Sequence, residues 1–216
     1  MHVEILVEDG SGGKLLEQLV PKILDAEKVL HTWRIHSYKG IGRVPAGLMP
    51  KADPSKRILL DQLARILKGY ANTPGIDAIA VVLDVDRKDC IAFLAELNAL
   101  VPRSERTIKV MFRLAIEEME AWYLGDRLAL FCAYPRGKKN VLNRYVQDSV
   151  CGTWEVLADV IYPGGSAAIR KRGWPLPGQL KHEWAEKIGP LMGVEFNDSK
   201  SFCKFRDGLR RLVAES

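Results

Sequence analysis

The sequence predicts an α/β fold: a parallel sheet of about four strands with flanking helices, followed by a mainly helical C-terminal subdomain. Three observations carry that expectation. Short apolar runs alternate with segments of helical periodicity through the first half of the chain. One of them, Ala78 to Leu83, is apolar on both faces, as in a central parallel strand covered on each side. From Asp126 onward strand patterns give way to helices separated by Pro163-Gly164-Gly165 and Gly173-Trp174-Pro175-Leu176-Pro177. Residues 1–126 are therefore expected to form the core unit and residues 127–216 a basic helical subdomain packed on it.

Val3 to Val7 is a compact apolar run and predicts the first strand. Leu15, Leu16, Leu19, Val20, Ile23 and Leu24 then recur at helical spacing over Lys14 to Leu24, with Gly12-Gly13 expected to make the tight turn between the two. Leu30 to Ser37 reads as a second strand. A loop rich in glycine and proline follows over Lys39 to Pro54, and Asp53-Pro54-Ser55 opens a helix carrying Ile58, Leu59, Leu63, Ile66 and Leu67. Ala78 to Leu83 is the third strand, Ile91 to Leu100 a helix, and Thr107 to Leu114 the fourth strand. It leads into Ile116-Glu117-Glu118-Met119-Glu120-Ala121-Trp122. The order β-α-β-α-β-α-β implies parallel strands with right-handed crossovers.

The chain has 216 residues, 47% hydrophobic and 27% charged, enough to bury a substantial core as an ordinary soluble protein. No run of about 18 apolar residues occurs, and the N-terminus reads as a charged strand, so no membrane span is expected and the cytoplasm is the expected location. Cys90, Cys132, Cys151 and Cys203 are scattered without a Cys-x-x-Cys pair and read as small core residues. His2, His31, His36 and His182 show no metal-ligand spacing and read as structural.

Charge is divided along the chain. Residues 1–126 carry 17 Lys and Arg against 18 Asp and Glu, −1, whereas residues 127–216 carry 15 against 9, +6. The basic groupings Arg136-Gly137-Lys138-Lys139, Arg170-Lys171-Arg172 and Arg210-Arg211 have Tyr145, Trp174 and Trp184 nearby in sequence. Phosphate attraction to a nucleic acid would explain them, as would a solvated basic face.

Acidic residues mark the strand ends. Val7 runs into Glu8-Asp9, and Leu83 runs into Asp84-Val85-Asp86. In a parallel sheet these ends share one edge, where ligands bind. Several carboxylates gathered there repel one another unless they hold a cation, share protons or splay into water, and oxygen-only ligands favour Mg²⁺, Mn²⁺ or Ca²⁺. The segment Gly10-Ser11-Gly12-Gly13-Lys14 is not a phosphate-cradling loop, because Leu15 follows the lysine where Ser or Thr is required. Glu8 reads instead as a metal ligand. Asp84 and Asp86 can both face a metal as the chain leaves the sheet, and Asp89 either supports them or caps the next helix. Asp-x-Asp after a strand also occurs in haloacid dehalogenases, but there on the first core strand and followed by a hydroxyl residue; here Arg87 and Lys88 follow, on the third. In the third acidic group, helical geometry would align Glu117 with Glu120, and an extended backbone would align Glu118 with Glu120. A helix N-terminus enriched in acid is the alternative.

Together these features resemble the Toprim fold of topoisomerases, primases and OLD-type nucleases. More narrowly, Val7-Glu8-Asp9-Gly10-Ser11 with Leu19-Val20-Pro21-Lys22-Ile23-Leu24, Leu83-Asp84-Val85-Asp86, Glu118-Met119-Glu120-Ala121-Trp122 through Asp126, and Asn197-Asp198-Ser199-Lys200-Ser201-Phe202 resemble the uncharacterised family DUF4276 over nearly the whole chain. The resemblance implies that Glu8 serves acid-base chemistry or metal binding and that Asp84 and Asp86 bind Mg²⁺ or Mn²⁺. Many OLD-type nucleases carry a further acid early in the first helix, where this chain has Gly12-Gly13-Lys14; Glu118 or Glu120 would have to supply that ligand or catalytic carboxylate. The expected function is a metal-dependent phosphodiesterase or nuclease acting on DNA or RNA in a defence-type setting with a partner ATPase, with homodimerisation left open. Lys39, Arg43 and Arg87 are candidate phosphate contacts, joined by Lys138, Lys139, Arg170, Lys171 and Arg172. The competing expectation is a catalytically silent Toprim-like module that binds nucleic acid or a partner protein.

Overall fold

The computed structural model describes residues 1–25, 31–40, 42, 58–102, 108–149 and 152–214. Four strands, β1 (His2–Val7), β2 (Thr32–Ser37), β3 (Ala78–Asp84) and β4 (Lys109–Ala115), form one sheet in the order β2-β1-β3-β4, all parallel. Helices α1 (Gly10–Asp25), α2 (Leu59–Ala71) and α3 (Cys90–Ala99) lie between successive strands in the chain. The predicted opening of α2 at Asp53 and the start of the fourth strand at Thr107 fall outside the described residues.

Period-two alternation distributes the apolar side chains to the two sheet faces. Val3, Ile5 and Val7 of β1, with Ala78, Ala80 and Val82 of β3, pack with Leu15, Leu16, Leu19 and Ile23 of α1. Leu6, Ile79, Val81 and Leu83 point the other way, onto Leu59, Leu63 and Leu67 of α2 and Phe93 and Leu97 of α3. Glu4 shares that second face and is buried. Its carboxylate is met by His36 Nε2 at 2.5 Å and His2 Nε2 at 3.2 Å, so both histidines take structural positions.

Beyond β4 the chain is helical: α4 (Glu120–Gly125), α5 (Arg127–Ala133), α6 (Lys139–Leu142), α7 (Thr153–Ile161), α8 (Gly165–Arg172), α9 (Leu176–Ile188), a 3₁₀ turn at Gly189–Leu191, and α10 (Lys200–Ala214). These helices complete the core on the α1 side. Trp122 stacks on Phe205 and meets Phe202 edge-on, and Trp184 is buried in the same cluster as Val3 and Leu15. Residue 126 is a junction rather than a linker: Asp126 accepts hydrogen bonds from the amides of Ala129 at the start of α5 and of Gly193, both at 2.9 Å.

Two expectations are corrected and one open alternative is decided. Gly12 and Gly13 make no turn; they lie in the first turn of α1, which begins four residues before Lys14. Glycine is needed there for close approach: a Cβ on Gly12 would sit 2.8 Å from Val7 and 2.8 Å from Met119, and one on Gly13 would overlap Ser37. Among the described cysteines none is fully buried: Cys132 is exposed and Cys90 and Cys203 are half-buried, with Cys203 packed against the core, and Cys151 lies outside the described residues. Glu117 is not on a helix with Glu120, because its φ of 67° places it in the left-handed region and α4 begins only at Glu120. Among the described residues no helix is long and apolar enough to cross a membrane.

Candidate metal centre

Because β1 and β3 are parallel neighbours, Glu8 and Asp84 emerge at the same sheet edge. Glu8 Oε2 accepts a hydrogen bond from the Asp84 amide at 3.3 Å. With Asp9, Ser11, Gly12, Val82, Met119, Glu120, Tyr123 and Lys181 they line a cavity of about 10 Å³. That is room for one water-sized occupant. Asp9 belongs to the helix start: its Oδ1 accepts from the Gly12 amide at 2.7 Å and its carboxylate from Ser11 Oγ at 3.0 Å. Asp89 likewise caps α3 through the Ala92 amide at 2.7 Å.

Asp84 and Asp86 part company past β3. Asp84 turns inward, half-buried, and its Oδ1 is buried with no hydrogen-bond partner. Asp86 is exposed and lines an adjacent cleft of about 550 Å³ with Arg87, Lys88, Glu117, Glu118, Gly152, Trp154 and Glu155. Glu118 faces two ways. Its Oε2 accepts from the Trp154 amide at 2.9 Å and from Thr153 Oγ1 at 3.2 Å, at the N-terminus of α7, while its Oε1 lies 3.3 Å from Lys181 Nζ. Glu120 Oε1 lies 3.3 Å from the same ammonium. Glu118 and Glu120 thus converge on Lys181 from either side of the turn at Met119.

Lys181 carried no signal in its local sequence. It reaches the centre because α9 packs on α1: His182 presses on Gly10, where a Cβ would come within 2.8 Å of the imidazole, and Leu180, Trp184 and Ala185 are buried. The division between an acidic first half and a basic second half was the one pointer to such a contact.

The electrostatics follow from burial. Desolvation pushes Glu8 up to about 7, with Asp9 and Asp86 adding repulsion against the relief given by the Asp84 amide and Lys181. Desolvation also pushes Glu120 up to about 7, opposed chiefly by Lys181, and drives Asp84 well above the usual carboxylate range, with Glu8 and Glu120 reinforcing it. Burial alone would lower Lys181, but Glu120, Glu118, Asp84 and Asp9 outweigh it and hold the ammonium charged. Tyr123, raised by burial and by Glu120, stays a neutral phenol.

Among the described residues no three His, Cys, Asp or Glu side chains are gathered as a ready-made ligand set. The donor chemistry nonetheless fits a hard divalent ion: two carboxylates, Glu8 and Asp84, face one small cavity, and an unpartnered Asp84 oxygen lies at its wall.

Of the predicted phosphate contacts, Arg87 lines the cleft beside Asp86, and Lys39 is exposed. Lys138, Lys139, Lys171 and Arg172 are exposed on the C-terminal helices, and Arg170, also exposed, pairs with Glu155 at 2.5 Å. Arg43 lies outside the described residues. Of the aromatic residues near these groups, Trp174 is exposed and Trp184 is buried. Compared with family models, with curated proteins and with solved structures, the chain matches none.

Proposed function

We propose that the protein is a Mg²⁺- or Mn²⁺-dependent phosphodiesterase of Toprim-like type acting on DNA or RNA. The observation that carries this reading is the convergence of Glu8 and Asp84 from neighbouring parallel strands, with Glu120 from α4, on one small cavity at the C-terminal sheet edge. Glu8 and Asp84 would hold the ion, with Asp86 in the adjacent cleft. A bound divalent ion would supply Lewis-acid stabilisation of charge on a phosphate and a more acidic water. A Glu8 carboxyl titrating near 7 is suited to take or give a proton at neutral pH if it is not spent as a ligand. Arg87 and Lys88, beside Asp86, are positioned to meet phosphates approaching through the cleft. The exposed cations Lys138, Lys139, Arg170, Lys171 and Arg172 would attract the rest of the polyanion.

A second reading, a catalytically silent module that binds nucleic acid or a partner protein, is favoured by Lys181, which already supplies positive charge to the acid cluster. One experiment separates the two. Labelled single- and double-stranded DNA and RNA are incubated with wild type and Asp84→Asn in Mn²⁺, alongside melting curves with and without the ion. Asp84→Asn keeps size and removes a ligand charge, so the metal enzyme loses cleavage while the fold survives. Absence of cleavage by wild type, together with a melting temperature indifferent to Mn²⁺, selects the silent module.

A further inference from the structure

Lys181 does more than neutralise a surface acid. Its ammonium lies 3.3 Å from Glu118 Oε1 and 3.3 Å from Glu120 Oε1, bridging two carboxylates from opposite sides of the turn at Met119. Its side chain is only 20% exposed, and Glu120 is 4% exposed. The helix that delivers it is fixed by the burial of Leu180, Trp184, Ala185 and Ile188, so the ammonium is held in place by the core. A cation that bridges two carboxylates occupies the position a divalent ion would take between them. The other oxygen of Glu118 is committed to the α7 amide at Trp154, and Asp9 to the start of α1. That leaves Glu8 and Asp84, whose buried Oδ1 is unpartnered, as the open side of the cavity.

We propose that Lys181 is a tethered counter-ion that takes the place of a second divalent cation, so that the centre accepts one ion, at Glu8 and Asp84, rather than two. This inference rests on the metal-dependent reading above. The fixed positive charge repels a further cation at Glu118 and Glu120 while leaving the Glu8 and Asp84 side to take an ion. Removing that charge while keeping the stem would open the Glu118–Glu120 side to a second ion.

The test counts ions on the full chain. Free Mn²⁺ is followed by electron paramagnetic resonance during titration of wild type, Lys181→Met and Lys181→Arg, and melting curves are recorded with and without Mn²⁺. The expected result is one ion on wild type, one on Lys181→Arg and two on Lys181→Met. The metal-free Lys181→Met protein should melt lower than wild type and gain more from Mn²⁺. Two ions on wild type or on Lys181→Arg overturn the inference, as does a single ion on folded Lys181→Met. Should Lys181→Met fold only with Mn²⁺ present, the wild-type and Lys181→Arg counts still decide the matter. If neither wild type nor Lys181→Met binds any Mn²⁺, the metal-dependent reading itself falls and takes this inference with it.

Discussion

The backbone amide of Asp86 donates to the carbonyl of Glu117 at 3.0 Å, and both residues hold positive φ, 52° and 67°. With the bond from Val85 N to Ala115 O at 3.1 Å, this contact carries the β3–β4 pairing past the strand ends and fixes where each acid points. A left-handed conformation costs a non-glycine residue about 1 kcal/mol or more. Glu117 bears a further burden, because its Oε2 is buried without a partner and burial, with Glu118 and Asp148, pushes the carboxyl up to about 7.

Glu117→Gly should therefore stabilise the protein. It relieves the backbone strain and removes an unpartnered buried carboxyl, for a gain of about 1 kcal/mol, or roughly 2–4 °C in melting temperature for a chain of this size. Calorimetry of the variant at neutral pH checks this. A lowered melting temperature would mean that the carboxylate has a bound partner in solution.

Metal-free stability should decline as pH rises from about 4.5 to about 7. Glu8, Glu117 and Glu120 have folded-state values near 7 against 4.5 in the unfolded chain. Over that interval the native state holds more protons than the unfolded state, so raising the pH favours unfolding. Below 4.5 both states are protonated and the full benefit is present; above 7 it is gone. Thermal melts between pH 5 and 7.5 in chelator should show the fall, and Mn²⁺ should reduce it by taking the place of the protons.

Asp126→Ala should loosen the junction between the sheet and the C-terminal helices. The substitution removes the α5 cap and strands the Gly193 amide. A lost cap costs about 1 kcal/mol, and an unsatisfied amide adds about as much again. Denaturant unfolding should give a loss of about 2 kcal/mol, and Asp126→Asn a smaller one.

Reversing Lys138, Lys139, Lys171 and Arg172 to Glu should weaken nucleic-acid binding at low salt, with the deficit shrinking as salt rises, because phosphate contacts draw on counterion release. Fluorescence anisotropy of a labelled oligonucleotide across a salt series measures both. Unchanged affinity at low salt would assign these residues to an ordinary solvated face.

The order and type of the core elements were legible in the sequence because each is written in a local period. The apolar runs at Val3 to Val7 and Ala78 to Leu83 announce buried parallel strands, and Leu15, Leu16, Leu19 and Ile23 announce a helix covering one face. Strand order then makes Glu8 and Asp84 neighbours, since parallel strands joined by crossovers share a C-terminal edge. Other features depend on contacts distant in sequence. Whether Gly12 and Gly13 serve a turn or a close approach depends on Val7, Ser37 and Met119. Asp84 and Asp86, two residues apart, end on different sides of the site because Asp86 is held to Glu117, a contact about 30 residues away that no local pattern records. Lys181 is the clearest case. Its place between Glu118 and Glu120 is set by the packing of α9 against α1, and the free energy that holds it there comes from apolar burial elsewhere on the helix. The sequence alone placed acids after the first, third and fourth strands; only the tertiary structure decided which of them face one cavity and which already have a cation.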